Sequence, residues 1–535
     1  MNTQMRSPYH FMIIFFLRGI SVLAILSMLL AGCAAPTATP VEVGVKAEIW
    51  DQFEAEMESL RQEMKIPGMS VAVVKDGEVV WARGFGYADV EKRIPASPET
   101  PYHLASVTKT FAAVIIMQLV QEGKLSLDDP VSRYGVNLPE GDKVLVRHLL
   151  SHTSEDTPGE HYQYNGARYG QLSQVVQSAT GRSLQELVYE RIIQPLGMEN
   201  TAPSPPTSCA GLPFAPTCER IFSALTGQYY LDIDLNPVQG VNMDTFNAGA
   251  GLISTVVDLA KYDAALDANT LVTAATKELM WTPTVSNSGQ KLPYGLGWFT
   301  QSYRGTRLIW HSGFSSCTSA LFLKLPEKGL SFIALANTDL ISRNYQAGHG
   351  DHTDVLNSLL AVTFYKRFVL VPDYSQPLPA IDWSADDSTV LTAISQVEDE
   401  PVRDILNKEF QARRALINSL ADLKPEQERL ASMRATAEDV ASSLDPQTLD
   451  LYAGDYKFSD SGVFTVSVTR AENKLYAAGP GMPPQELLPL SATRFFLPTG
   501  YGDDYMFNFV LGTTSDQIDS LILYFSGMTF TGWRK

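Results

Sequence analysis

Leu104-Ala-Ser-Val-Thr-Lys-Thr-Phe111 opens an apolar run, Ala112-Ala-Val-Ile-Ile-Met-Gln-Leu-Val120, that stops just before Gly123. The run predicts a helix over 106–122 with the glycine as its stop. Ser106 and Lys109 are three residues apart at the opening of that helix, which puts both side chains on one face. A serine hydroxyl is a weak nucleophile until a neighbour takes its proton. A lysine amine can do this when burial or nearby cations lower its pKa. The helix N-terminus adds backbone N–H groups able to meet a developing oxyanion. An N-capping serine followed by a solvated lysine has the same spelling, so the pair gains meaning only from its surroundings.

Upstream, Ile49, Phe53, Met57, Leu60 and Met64 fall on one face of an amphipathic helix over 47–64. Met69–Val74 and Glu78–Ala82 flank Lys75-Asp76-Gly77, a hairpin signal. Downstream, residues 170–194 read as helical. Strand patterns return at Gly295–Trp298, Thr318–Leu323 and Ser331–Ala336. Strands at both ends with helices between them predict one sheet built from both ends of a domain, with the helical insert beside it. Residues 373–445 begin proline-rich and become charged and helical, as in Val402 to Leu420. Beyond 446, short β-like runs at Val463–Val468, Lys474–Ala477, Arg494–Leu497, Tyr505–Phe509 and Leu521–Phe525 predict a small antiparallel barrel or sandwich.

The chain has 535 residues, with 59 acidic against 41 basic side chains and a net charge of −18. That balance excludes a sequence-independent nucleic-acid binder, which needs a basic face. At the N-terminus, Arg6 and Arg18 precede the apolar run Ile20–Gly32, too short for a permanent span and suited to an export signal over 1–32. Leu30-Ala-Gly-Cys33 resembles a bacterial lipobox, which implies lipidation at Cys33 and a bacterial envelope protein anchored to the membrane on the extracytoplasmic side. An ordinary signal peptide and an uncleaved anchor are the alternatives. Residues 33–46 are small and proline-spaced, a tether. In an oxidising compartment Cys209 and Cys218 either close a small loop or stay as two thiols, with Cys317 left single.

Around the Ser106 stretch, a series of strings runs in order from Ile66-Pro-Gly68 to Asn337. They are Gly84-Phe-Gly-Tyr-Ala-Asp89, Leu127-Asp-Asp-Pro130, Arg147-His-Leu-Leu-Ser-His-Thr-Ser154, Pro158-Gly-Glu160, Gln194-Pro-Leu-Gly-Met198, Gly249-Ala-Gly-Leu252, Tyr294-Gly-Leu-Gly-Trp298 and His311-Ser-Gly313. With the Ser106 motif they resemble the serine β-lactamase and penicillin-binding-protein superfamily, in the branch of class C β-lactamases, D-alanyl carboxypeptidases and family VIII esterases. The resemblance implies an α/β (α+β) fold: an antiparallel β-lactamase/transpeptidase-like sheet with a helical subdomain over 47–372. A helical connector (373–445) and a small C-terminal β-barrel (446–535) follow. The barrel resembles a lipocalin-like appendage through Leu451-Tyr-Ala-Gly-Asp-Tyr456, Lys474-Leu-Tyr476 and Gly532-Trp-Arg534.

The resemblance also implies roles. Ser106 is the acylated nucleophile, Lys109 its activating partner and Tyr164 the proton shuttle. His311 stands where β-lactamases carry a lysine, so carboxylate substrates are held less firmly and esters or unusual amides are favoured. Gly313 allows close backbone approach, and the Phe314 N–H joins that of Ser106 in the oxyanion hole. The family asparagine falls on Gly166, with Asn165 one place early, which puts in doubt the amide that orients the substrate carbonyl. Glu155 replaces the usual glycine, and the loop to Pro158 is short, implying an open cleft. His148 and His152 read as packing or hydrogen-bonding within that loop. No metal and no cofactor is expected, the pair His349 and His352 being weak evidence for a metal. The expected partner is a small-molecule or peptide substrate of an acyl-enzyme serine hydrolase. A peptidase acting on peptidoglycan fragments and a catalytically silent binding protein are the alternatives.

Overall fold

The sheet that carries the site is closed by the two ends of its domain. The computed structural model describes residues 47–232, 234–240, 246–343, 354–370, 378–458, 464–479, 484–497, 505–512, 517–525 and 528–534. Cys33, the expected signal and tether, His349 and His352 lie outside the described residues. Helix α1 (Ala47–Glu63) leads into strands β1 (Gly68–Lys75), β2 (Glu78–Asp89) and β3 (Ile94–Pro95). After the helical region come β4 (Phe299–Tyr303), β5 (Thr306–Ser315), β6 (Thr318–Leu325) and β7 (Leu330–Ala336). All seven form one antiparallel sheet in the order β3-β2-β1-β7-β6-β5-β4, with Val71 opposite Ala334 where the two ends join. Residues 75–78 make the expected hairpin, Asp76 and Gly77 both taking positive φ as its tight turn demands.

Both faces of the sheet are covered, which is why β1, β6 and β7 read as continuous apolar runs rather than alternating ones. One face meets α2 (Thr108–Gln121), whose residues are buried nearly all round, and α3 (Val256–Asp267). The other meets α1 and a helix over Leu359–Tyr365 through an aromatic cluster, in which Phe53 meets Trp81 and Phe332 stacks on Phe364. One expected strand is displaced. Gly295–Trp298 forms a bend and the strand begins at Phe299. Gly297 takes φ of +84° where a Cβ would fall 2.4 Å from the Ala113 side chain of α2, a conformation and a close approach that suit a turn and no strand.

Residues 400–443 form one helix, α4 (Glu400–Ser443), which continues past Pro425. Its first half is clamped to the sheet domain by Lys366–Glu409 at 2.5 Å, Lys408–Asp354 at 2.8 Å, and the pairs Arg413–Glu63 and Arg304–Glu400. Beyond it, eight strands between Gly454 and Arg534 close into a barrel, so the choice between barrel and sandwich falls to the barrel. Tyr456, Val466, Leu475, Phe507 and Leu521 fill its interior while Asp455 and Lys457 point out. Three of the eight strands, Gly454–Phe458, Gln485–Pro489 and Met528–Arg534, are absent from the five read in the sequence, the first two being five residues long with a glycine or proline at one end and the third being interrupted by Gly532. Cys209 and Cys218 are joined in a disulfide, and Cys317 is buried outside it.

Candidate active site

Ser106 lies in a 3-10 turn, Ala105–Val107, just ahead of α2 rather than within it. Ala105 takes a φ of +43°, an unfavourable value for a residue with a side chain. The turn is held from outside: Leu104 N–H donates to Leu252 C=O at 2.8 Å, and Leu252 N–H donates to Thr108 Oγ1 at 3.1 Å. Of residues 101–117 Ser106 alone is not buried. Its hydroxyl is thus presented at the surface of a dense core.

Lys109 is one helical turn on and fully buried. Its Nζ donates to Ser106 Oγ at 3.0 Å and to Gly249 C=O at 2.8 Å, and lies 4.9 Å from the Tyr164 ring centre and 5.4 Å from that of Tyr169. Burial brings its pKa down to about 7. The Tyr164 hydroxyl is within hydrogen-bonding reach of Ser106, while burial holds the phenol well above its usual range. Hydroxyl, amine and phenol converge on one point.

Strand β5 forms the opposite wall. A Cβ on Gly313 would sit 2.1 Å from Leu104 C=O, so any side chain there would push the strand off the Ser106 turn. Ser315 pairs with Thr318 across a two-residue turn, and the pair that flanks such a turn is a hydrogen-bonded one. By the alternation of an antiparallel ladder, the Phe314 N–H then points away from β6, off the edge that β4 pairs only as far as Trp310 and that lies beside the Ser106 turn. Gly313→Ala is expected to lower kcat/KM about 100-fold, the cost of misplacing an oxyanion donor by about an ångström, with an unchanged circular dichroism spectrum. Wild-type rates in a folded Gly313→Ala protein would show that the strand can give way.

These elements are those of a known family: the beta-lactamase family model matches residues 53–348. The chain belongs to the beta-lactamase family. Among curated relatives, Protein flp of Staphylococcus aureus (strain MW2) is 26% identical over 328 residues, which are 54% of this chain and 62% of that protein. The D-aminopeptidase of Brucella anthropi is 28% identical over 297 residues, 49% of this chain and 54% of that enzyme. The chain thus spans less than two thirds of the length of these relatives. The octameric penicillin-binding protein homologue from Pyrococcus abyssi shares the fold at a TM-score of 0.51 and 22% identity, over 90% of this chain and 99% of that one.

Against the family pattern, the structure amends two roles. His311 was expected to act on substrate, but both ring nitrogens have protein partners. Nδ1 donates to its neighbour's carbonyl, Ser312 O, at 2.7 Å, which leaves Nε2 to accept from the Tyr294 hydroxyl at 2.8 Å. Burial, with Lys109 nearby, takes its pKa down to about 3, so it is a neutral wall residue. Asn165 does not turn its amide to the cleft. Its Oδ1 caps the short helix Gly166–Gly170 through Arg168 N–H at 2.9 Å, and its Nδ2 donates to Glu155 at 2.5 Å. Glu155 also pairs with Arg168 at 3.0 Å. The two departures from the family pattern, Glu155 and Asn165-Gly166, are therefore one interaction: a carboxylate in the loop needs an amide and a guanidinium to face it. Gly166 leaves the space beside Lys109 open, its absent Cβ falling 3.8 Å from Nζ. The Gly249 carbonyl holds the lysine there instead, a role that the Gly249–Leu252 string did not reveal because a backbone atom has no letter in the sequence.

Proposed function

We propose that this protein is an acyl-enzyme serine hydrolase acting on esters or uncharged amides. The observation that carries the reading is the contact between Ser106 Oγ and the buried Lys109 amine, whose pKa lies near neutrality. In the first step the neutral amine takes the hydroxyl proton as Oγ attacks the carbonyl carbon. The oxyanion is met by the N–H groups of Ser106 and Phe314. Tyr164, protonated at neutral pH, relays a proton to the leaving group, whose departure gives the acyl-enzyme. Water, activated by the same amine and phenol, then releases the acid. The divergence of the amine and phenol pKa values supports this division of labour.

The neutral His311, where β-lactamases carry a lysine, argues for substrates without a carboxylate beside it, because an uncharged imidazole would not balance one. The likeness to a D-aminopeptidase favours a second reading, hydrolysis of D-amino acid peptides. Release of a D-amino acid from a muropeptide, with no turnover of short p-nitrophenyl esters, would select it. We further propose that the chain is exported and held to the membrane by a lipid on Cys33. One experiment addresses both proposals: intact-mass spectrometry of the purified protein after reaction with a fluorophosphonate. A single adduct mapping to Ser106 and a diacylglyceryl mass on Cys33 are expected. An unlabelled Ser106 counts against the hydrolase, and an unmodified Cys33 against the anchor.

A further inference from the structure

The loop that presents Tyr164 is built on one buried histidine. His152 is 2% exposed and adopts a φ of +54°. Its carbonyl accepts the Gln163 N–H at 2.8 Å and its ring Nδ1 accepts the Asn165 N–H at 3.1 Å. These two bonds straddle Tyr164 in the chain. The imidazole also stacks on the Tyr164 ring, with centroids 4.2 Å apart and planes 28° from parallel. Tyr169, at 5.1 Å, and the edge-on Tyr294, at 4.9 Å, hem the imidazole in, so it cannot swing away from the phenol. One residue thus grips Tyr164 by both chain neighbours and by its ring.

We propose that His152 is a positioning residue for Tyr164, its neutral imidazole holding the phenol against Ser106 and Lys109 without itself touching substrate. The inference rests on the acyl-enzyme reading above. It requires Nδ1 to be unprotonated, since a proton there would remove the acceptor for Asn165 N–H. The surroundings keep it so: burial first, then the titratable Lys109 of α2 and His311 of β5, beside which a second positive charge is disfavoured, hold the imidazole well below its ordinary pKa. The other titratable groups against it are the phenols Tyr162, Tyr164, Tyr169 and Tyr294, all neutral at ordinary pH.

Two variants separate the grip from mere filling of space. His152→Phe keeps the ring and removes the acceptor, while His152→Asn places an oxygen near the Nδ1 position and removes the ring. The measurement is fluorophosphonate labelling of Ser106, read as both the rate constant and the final labelled fraction, together with kcat and KM for p-nitrophenyl acetate. For His152→Phe the labelling rate and kcat are expected to fall about 100-fold, with KM within about threefold of wild type and labelling still reaching one equivalent. His152→Asn is expected to recover about tenfold of that loss, because the hydrogen bond returns. A loss of labelled fraction at an unchanged rate would mean that His152 only supports folding, and would overturn the proposal. So would wild-type rates in His152→Phe, or equal rates in the two variants. A wild-type protein that cannot be labelled overturns the acyl-enzyme reading first, and the role of His152 with it.

Discussion

Ser106→Ala is expected to lower kcat/KM for a p-nitrophenyl ester by at least about 10^4-fold, and Lys109→Met by about 10^3-fold or more, with the double variant no worse than Ser106→Ala. The non-additivity follows from the geometry. Lys109 Nζ has two hydrogen-bond acceptors, Ser106 Oγ and the Gly249 carbonyl, so its catalytic value passes entirely through the serine. The pH profile carries the sign. The amine works when deprotonated, so with its pKa near 7 kcat/KM should fall about tenfold per pH unit below neutrality and level off above it. The same group links stability to pH. Its folded pKa lies below the 10.5 of a free lysine, so between about 7 and 10.5 the unfolded chain binds the extra proton and the contribution to stability rises with pH. A pH profile flat from acid to alkaline, or a Ser106→Ala protein that still hydrolyses ester, would remove the mechanism.

The second large effect concerns stability. Lys324 of β6 and Asp263 of α3 form an ion pair in which both side chains are 1% exposed. It ties the helix to the face of the sheet. Charges withdrawn from water so completely cannot be left single, so Lys324→Ala should cost about 3–5 kcal/mol. Asp263→Ala should cost less, because Asp267 stands 3.1 Å from the same ammonium and is itself partly solvated. Replacing both, as Lys324→Met with Asp263→Leu, should recover most of the stability, since well-packed apolar side chains do at least as well as a buried pair. Scanning calorimetry of the three proteins measures this. A Lys324→Ala protein melting with the wild type would show that the pair is solvated in solution.

How much of this was legible in the sequence differs from element to element. Helix α1 was readable to within a residue because its apolar positions repeat at three- and four-residue steps along one face. The β1–β2 hairpin was readable because Asp76-Gly77 has few alternatives. The strand at Phe299 was misplaced by a few residues because Gly295 and Gly297 are set by packing against Met280 and Ala113, contacts across the fold. In the barrel, the runs rich in β-branched and aromatic residues were visible, and the strands carrying Gly454, Pro489 or Gly532 were not.

The site shows the same division. The sequence by itself determined which chemistry was present: a serine and a lysine three apart, a tyrosine at the family's spacing, and a glycine where a strand must pass close. Those are properties of residue type and local spacing, and local spacing survives folding. Only the tertiary structure decided what each group can do. Burial sets the charge of Lys109, the Tyr294 hydroxyl and the Ser312 carbonyl occupy His311, and Glu155 and the helix N-terminus claim Asn165. Protonation state and hydrogen-bond occupancy depend on which atoms surround a group in space, and those atoms come from segments as far apart in the chain as Lys109 and Gly249.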